Sequence, residues 1–371
     1  MIALLVAAAF AALFTLLLTP LFARAFRRLR LGQFIRADTP TTHVVKRGTP
    51  SMGGVVFVTG SVLGYFVGKL VSAMVGQTIS DLNVTPSASL AMFMMVALGG
   101  VGFLDDFIKV RKRNSLGLPG PWKIALTLVI SAVFAVIALT VHDSRGLTPL
   151  STHISFVRDL PFDFTAVFGT TLGVILVVLL AAAISVSTTN AVNLTDGLDG
   201  LAAGASIFAI GSYIIIGFWQ FNQDCATVVR ENLDRCYTVS DPLDLATVAA
   251  AVVGSLIGFL WWNTSPAQIM MGDTGSFGLG GVLAALAMLS RTELLLILIG
   301  GLFIVCTSTV IIQRTYFKLT GGKRIWLASP LHHHFEVKGW AEVTIVVRFW
   351  IISGLFVAAG VGLFYLEWLS L

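Results

Sequence analysis

The chain has 371 residues, 56% hydrophobic and 12% charged, with 24 Lys and Arg against 19 Asp and Glu. Soluble domains carry about 25% charge, so neither a set of water-facing domains nor a disordered chain fits. What remains is an all-α, polytopic integral membrane protein. Its net charge of +5 reads as anchoring to the cytoplasmic face rather than as a nucleic-acid surface, since no aromatic-interleaved basic platform is present.

The first apolar run, residues 1–23, has no basic leader and no small-residue cleavage site, so it reads as a retained span rather than a signal peptide. Ten spans follow from the apolar runs, near 1–23, 51–71, 89–107, 122–141, 166–188, 198–217, 245–262, 275–290, 294–313 and 344–366. Most meet the roughly 20 residues needed to cross a bilayer. The eighth is short and rich in glycine, and its small residues permit close helix approach. One transmembrane domain accounts for 1–371.

Ten spans put the segments 24–50, 108–123, 189–197, 263–274 and 314–343 on one side. These hold 17 of the 24 Lys and Arg, against 5 on the opposite side. The positive-inside rule makes the first set cytoplasmic and leaves both termini periplasmic. Lys69, at a span end, reads as snorkelling. Three cysteines give no metal framework. Cys225 and Cys236 share the outer loop 218–244, where a disulfide and a pair of free thiols are both open; Cys306 lies inside a span.

Five acidic residues, Asp105, Asp106, Asp196, Asp199 and Asp273, stand where an apolar span meets a loop on the basic side. An ionisable residue at such a depth points to function. In chain order, Asp105 and Asp106 close the third span. Adjacent helical residues diverge by roughly 100°, so at most one points squarely at a given ligand. Lys109 is within same-face reach, which also permits a plain helix-end ion pair. Asn193, Asp196 and Asp199 recur every third residue in Asn190-Ala-Val-Asn-Leu-Thr-Asp-Gly-Leu-Asp-Gly200. An acidic helix N-cap explains one of these residues but not the set. Asp273 precedes the next helix in a loop with no Lys or Arg. Uncompensated carboxylates at one face ask for a cation, and oxygen-only ligation suits Mg2+.

His332, His333 and His334 are consecutive, so they cannot share a helix face and read as a turned loop over a polar site. Zinc, or phosphate and sugar contacts, are open for them. Basic residues in 36–54 and 109–123, with Lys318, Lys323, Arg324 and Lys338, surround the acidic centre. Carboxylates for a metal with bases around them describe a phosphate-handling site. A transporter explains the spans and carboxylates but not the one-sided basic rim.

The strings Lys46-Arg-Gly-Thr-Pro-Ser-Met-Gly-Gly54, Phe103-Leu-Asp-Asp106, Asn193-Leu-Thr-Asp-Gly-Leu-Asp-Gly200, Met271-Gly-Asp-Thr-Gly-Ser276 and Pro330-Leu-His-His-His-Phe-Glu336 occur in that order. With them the chain resembles the phospho-N-acetylmuramoyl-pentapeptide transferase family, within the wider polyprenyl-phosphate N-acetylhexosamine-1-phosphate transferases. The resemblance implies ten membrane helices, a cytoplasmic cleft in the bacterial inner membrane, and a homodimer. It implies transfer of phospho-MurNAc-pentapeptide from UDP-MurNAc-pentapeptide to undecaprenyl phosphate with Mg2+, giving lipid I and UMP. It also implies Asp273 as metal ligand, and Asp105 and Asp106 as a catalytic pair. His332 and His333 become phosphate or sugar contacts, with His334 beside them. Lys109, Lys123, Asn193, Asp196, Asp199 and Asn263 become substrate contacts, Asp199 at the uracil end. Met270 occupies a position where family members often carry a uracil-stacking Phe, and Gly321-Gly322 is one glycine longer than the usual turn. A sister enzyme acting on UDP-GlcNAc is the rival reading.

Overall fold

The computed structural model describes residues 1–28, 48–76, 82–112, 117–143, 145–227 and 235–370. The basic residues Arg30, Arg36, Lys46, Arg47, Arg113 and Arg230 lie outside these. The helices are α1 (Ile2–Arg28), α2 (Gly54–Gly76), α3 (Pro86–Lys112), α4 (Gly120–Thr140), α5 (Phe164–Phe168), α6 (Thr170–Thr195) and α7 (Leu201–Asn222). They continue with α8 (Pro242–Asn263), α9 (Gly272–Leu289), α10 (Leu296–Ile299), α11 (Gly301–Leu319), α12 (Leu331–Val337) and α13 (Glu342–Ser370). Between α4 and α5 lies one hairpin, β1 (His153–Ser155) and β2 (Asp159–Asp163). Among the described residues, nine helices are long and apolar enough to cross a membrane: α1 to α4, α6 to α9 and α13.

The ninth expected span, 294–313, is interrupted. Its first turns form α10, and α11 starts afresh at Gly301. Two adjacent glycines weaken a helix at this point. The second also lets Phe356 of α13 press on the backbone, since a Cβ on Gly301 would overlap that ring. α11 then runs on to Leu319 and carries Arg314 and Lys318.

The short, glycine-rich eighth span is the centre of the fold. Every residue of α9 from Thr274 to Leu289 is buried, with α3, α6 and α2 packed around it. Glycine makes this possible. Gly281 lies against the Met94 carbonyl and Gly280 against the Thr189 backbone, so a side chain at either position would collide with α3 or α6. The expected loop at 189–197 is shorter than the apolar pattern indicated. α6 stays helical to Thr195, so Asn193 is a helix residue. Hydropathy ends where polar residues begin, whereas the helix ends only where its hydrogen bonds stop.

On the face opposite the carboxylates, polar side chains fasten the connections. The hairpin was not anticipated, because strands of 3 and 5 residues give too short an alternation to read. Asp159 holds it by accepting from Ser151 at 2.8 Å and Ser155 at 2.6 Å, and Arg291 joins it to the end of α9 at 3.3 Å. Lys69 does not snorkel. Its Nζ lies 3.1 Å from Asp244, in the first turn of α8, and Tyr65 donates to the same carboxylate at 3.1 Å. A carboxylate is favoured at a helix start, and Lys69 neutralises it there. Cys225 and Cys236 are disulfide-bonded, and Cys306 is free and buried.

Between α9 and α10, burial pushes the Glu293 carboxyl up to about 8, aided by Asp159 and opposed by Arg291. The folded protein therefore holds a proton that the unfolded chain has lost. The stabilisation is complete below about pH 4.5 and is lost as pH rises through about 8. Glu293→Gln removes this dependence. Its melting temperature in detergent should exceed wild type at pH 8.5 and match it at pH 4.5. Parallel curves for the two proteins would refute the assignment.

Candidate active site

Three carboxylates from two helices converge at the basic end of the bundle. Asp105, Asp106 and Asp273 each place one oxygen within 4.8 Å of the others. Asp105 and Asp106 do diverge, as neighbours on a helix must, but the start of α9 lies where both can meet it.

Asp106 is turned to the first turn of α9. It accepts from the backbone N–H of Asp273 at 3.2 Å and of Thr274 at 2.9 Å, and from the Thr274 hydroxyl at 2.8 Å. A helix start leaves N–H groups without partners. Here the cap comes from α3 rather than from the residue preceding α9. Gly272, at φ 73°, and Gly102, against the Asp273 backbone, allow the two chains to come this close.

Asp105 faces the other way. It accepts the Leu118 N–H at 2.6 Å. Gly117, at φ 46°, brings the backbone against this carboxylate, where a side chain would displace it.

Lys109 and Lys123 bind the carboxylates into one network. Lys109 Nζ lies 2.5 Å from Asp105 and 3.1 Å from Asp273. Lys123 Nζ lies 3.0 Å from Asp105 and 2.7 Å from Asp273. The loop preceding Asp273 has no basic residue, so its neutralising partners come from α3 and α4. Asn193 of α6 donates to Asp273 at 3.1 Å and to Ser276 at 2.9 Å. Three carboxylates against two ammonium groups leave one negative charge. The donors are all oxygen and close enough to share a cation, which suits a hard divalent ion such as Mg2+.

A second cluster adjoins the first through the end of α6. Asp196 closes that helix, its N–H on Val192 O at 3.1 Å. Asp199 is buried away from the triad, accepting from the Ala267 N–H at 3.0 Å. Gly197 lies against His332 and His333, and neither ring leaves room for a Cβ there. The histidines stand on the short helix α12, not on the loop expected for them. They diverge all the same. His332 is fully buried, with His333 edge-on at 4.4 Å between ring centroids. His333 pairs with Glu336 at 2.9 Å. His334 accepts the Leu327 N–H at Nδ1, 3.1 Å away. Partial burial and then Lys338 hold its imidazole below its ordinary value, which favours the neutral form that this bond requires.

The connection from α8 to α9 is held from both ends. Asn263 is buried and donates to Ile269 O at 2.9 Å, which makes it a brace for this loop. Met270 donates its N–H to Pro50 O at 2.8 Å and accepts from Gly53 N–H at 2.9 Å. The segment before α2 thereby fixes the backbone beside Asp273 and leaves the Met270 side chain half-buried.

Sequence reasoning named the six residues of the first cluster: Asp105, Asp106, Lys109, Lys123, Asn193 and Asp273. It missed Thr274 and Ser276, although both lie in a motif it quoted. It also missed Glu342, which accepts the Asp199 N–H at 2.8 Å and whose signal was an acidic residue at the start of the last span.

Residues 88–291 match the family described as Glycosyl transferase family 4, and residues 46–58 match the phospho-N-acetylmuramoyl-pentapeptide-transferase signature 1. The chain is 64% identical over 375 residues to the phospho-N-acetylmuramoyl-pentapeptide-transferase of Clavibacter michiganensis subsp. michiganensis, covering 100% of both chains. It is 55% identical to that of Arthrobacter sp. (strain FB24), again over 100% of both. With that of Micrococcus luteus it shares 51% identity over 95% of this chain and 92% of the relative.

Proposed function

The chain belongs to the phospho-N-acetylmuramoyl-pentapeptide-transferase family, and we propose that its carboxylate–lysine cluster carries out that family's reaction. Phospho-MurNAc-pentapeptide passes from its UDP carrier to undecaprenyl phosphate, giving lipid I and UMP. The observation that carries the assignment of residues is the meeting of Asp105, Asp106 and Asp273 under Lys109 and Lys123.

Two anions must react. An acceptor phosphate oxygen attacks the β-phosphorus of the UDP-sugar, one P–O bond forms, and the P–O bond to UMP breaks. Mg2+ held at Asp273 would supply charge to the diphosphate and to the leaving UMP. Asp106 fixes the start of α9 and so sets where Asp273 points. Lys109 and Lys123 supply positive charge for phosphate oxygens. Asp105 already accepts from Leu118 and meets both lysines. A monoprotonated lipid phosphate, with a second pKa near 6, gains little from a base at pH 7. Asp105 is therefore an orienting group for the lysines at least as much as a base. Asp196, Asp199, Asn263 and Met270 belong to the nucleotide end of this reading, and His332, His333 and His334 to the phosphate and sugar.

The triad's side of the membrane is assigned to the cytoplasm. The excess of basic residues supports this, as does the Cys225–Cys236 disulfide on the opposite side, because disulfides persist outside the cytosol. A homodimer is part of the same reading.

Purified protein with undecaprenyl phosphate and Mg2+ should release UMP from UDP-MurNAc-pentapeptide and not from UDP-GlcNAc. Turnover of UDP-GlcNAc alone would replace the assignment with the sister activity.

Met270 offers a polarizable thioether to uracil but no ring. Because its backbone is clamped, Met270→Phe changes the side chain only. An added stacking contact should lower KM for the UDP-sugar between about twofold and tenfold and leave kcat unchanged, the pattern of uniform binding. An unaltered KM places residue 270 away from the base.

A further inference from the structure

The turn between α6 and α7 carries Asp196 and Asp199 and has backbone hydrogen bonds of its own, such as Gly197 N–H to Thr195 O at 2.8 Å. α13 fastens it at two further points. The Asp199 N–H donates to Glu342 Oε1 at 2.8 Å. One residue on, the Gly200 carbonyl accepts from Trp350 Nε1 at 3.3 Å. The Trp350 ring lies against Gly204, where any side chain would overlap it. Gly200 has φ 80°, a left-handed conformation that lets the chain leave the turn directly into α7.

The same carboxylate reaches a third segment. Glu342 Oε2 lies 3.5 Å from the Ser265 hydroxyl, and Asp199 itself accepts from Ala267 N–H two residues further along. Glu342 thus stands where the α6–α7 turn, the α8–α9 connection and the start of α13 meet. It lies in the first turn of α13, where the helix dipole favours a carboxylate. The post is therefore set independently of the turn it holds. None of the contacts described for Glu342 involves Asp105, Asp106, Asp273 or either lysine.

We infer that Glu342 is a positioning residue for the UDP-sugar, acting through the Asp199 turn, with Trp350 as its second fastening. This rests on the proposal that Asp199 meets the uracil end. A residue that orders the nucleotide end without touching the phosphates changes binding of one substrate. The acceptor and the chemical step are left alone.

Steady-state kinetics of the full-length protein with UDP-MurNAc-pentapeptide and undecaprenyl phosphate test it. Glu342→Ala should raise KM for the UDP-sugar about tenfold, the effect of one lost charge-assisted hydrogen bond. The inhibition constant of UMP should rise in parallel. KM for undecaprenyl phosphate should stay the same, and kcat should stay within about twofold. Glu342→Gln keeps a carbonyl oxygen for the Asp199 N–H and should recover most of the loss. Trp350→Phe keeps the ring but not the donor and should raise the same KM by a smaller factor. The Gln and Phe variants retain bulk, so they report even where the Ala variant fails to fold. An unchanged KM, a fall in kcat alone, or equal loss in the Gln and Ala variants together with a lower melting temperature would overturn the inference. Wild-type protein that releases no UMP sinks the transferase assignment instead. An active wild type with indifferent Glu342 variants sinks only the positioning role.

Discussion

Asp273→Asn should lower kcat/KM by about three orders of magnitude, the scale of losing one electrostatic anchor at a reacting centre, while the melting temperature stays within a few degrees of wild type. The two effects separate because different atoms of the residue carry them. The side chain receives Lys109 and Lys123 on one oxygen and Asn193 on the other. The backbone N–H is held by Asp106, and an asparagine keeps that N–H. The fold is therefore preserved. What disappears is the negative charge that would bind a divalent cation, and an amide nitrogen then faces two ammonium groups. UMP release and thermal unfolding of the same preparation check both halves. A kcat/KM within tenfold of wild type removes Asp273 from the chemistry, and wild-type turnover in excess chelator removes the metal.

The first cluster was legible in the sequence because membrane chains make charge conspicuous. Asp105, Asp106 and Asp273 had to be paired, ligated or functional, and the one-sided count of basic residues placed them at one face. Their partners were harder to assign. Asp273 looked uncompensated because its own loop has no Lys or Arg, yet α3 and α4 deliver Lys109 and Lys123 to it. Lys69 was misread for the same reason, since its counter-ion Asp244 is 175 positions away in sequence. Local reading detects a charge without finding its partner across the bundle. The α9 span was expected near 275–290 and is present, but its central place was not legible. Its glycines lowered its apparent hydropathy, but they are what let it occupy the centre, against α3 and α6.

The second cluster was legible as a motif but not as an arrangement. The every-third-residue spacing of Asn193, Asp196 and Asp199 means that each pair three apart would share a face if the segment were helical. In the structure α6 ends at Thr195. Asn193 therefore faces Asp273, Asp196 closes the helix, and Asp199 joins the α8–α9 connection. The helix end divides three residues of similar chemistry among three tasks. Glu342 escaped motif reading because its shortest described hydrogen bond is to the Asp199 N–H, and a backbone N–H leaves no mark in the sequence.

Asp106 and Asp105 are adjacent carboxylates, but their variants should fail differently. Asp106→Asn should lower kcat about a hundredfold and the melting temperature by several degrees, whereas Asp105→Asn should lower kcat without a comparable loss of stability. Asp106 accepts from two backbone N–H groups and one hydroxyl at a buried helix start. Asparagine has one carbonyl oxygen, which can keep Thr274. Its NH2 group then opposes the Asp273 N–H, and a buried donor left without a partner costs about 1–3 kcal/mol. The negative charge at the start of α9 is lost as well, about another 0.3–1 kcal/mol. Because that N–H belongs to Asp273, the instability and the catalytic loss have one origin: the first turn of α9 loosens and Asp273 loses its aim. Asp105 caps no helix; its bonds are to the lysines and to Leu118. Melting curves and UMP release for the two variants decide between a cap and a paired catalytic role. Equal stability of both with equal loss of kcat would make Asp106 a direct participant in the chemistry and end the capping explanation.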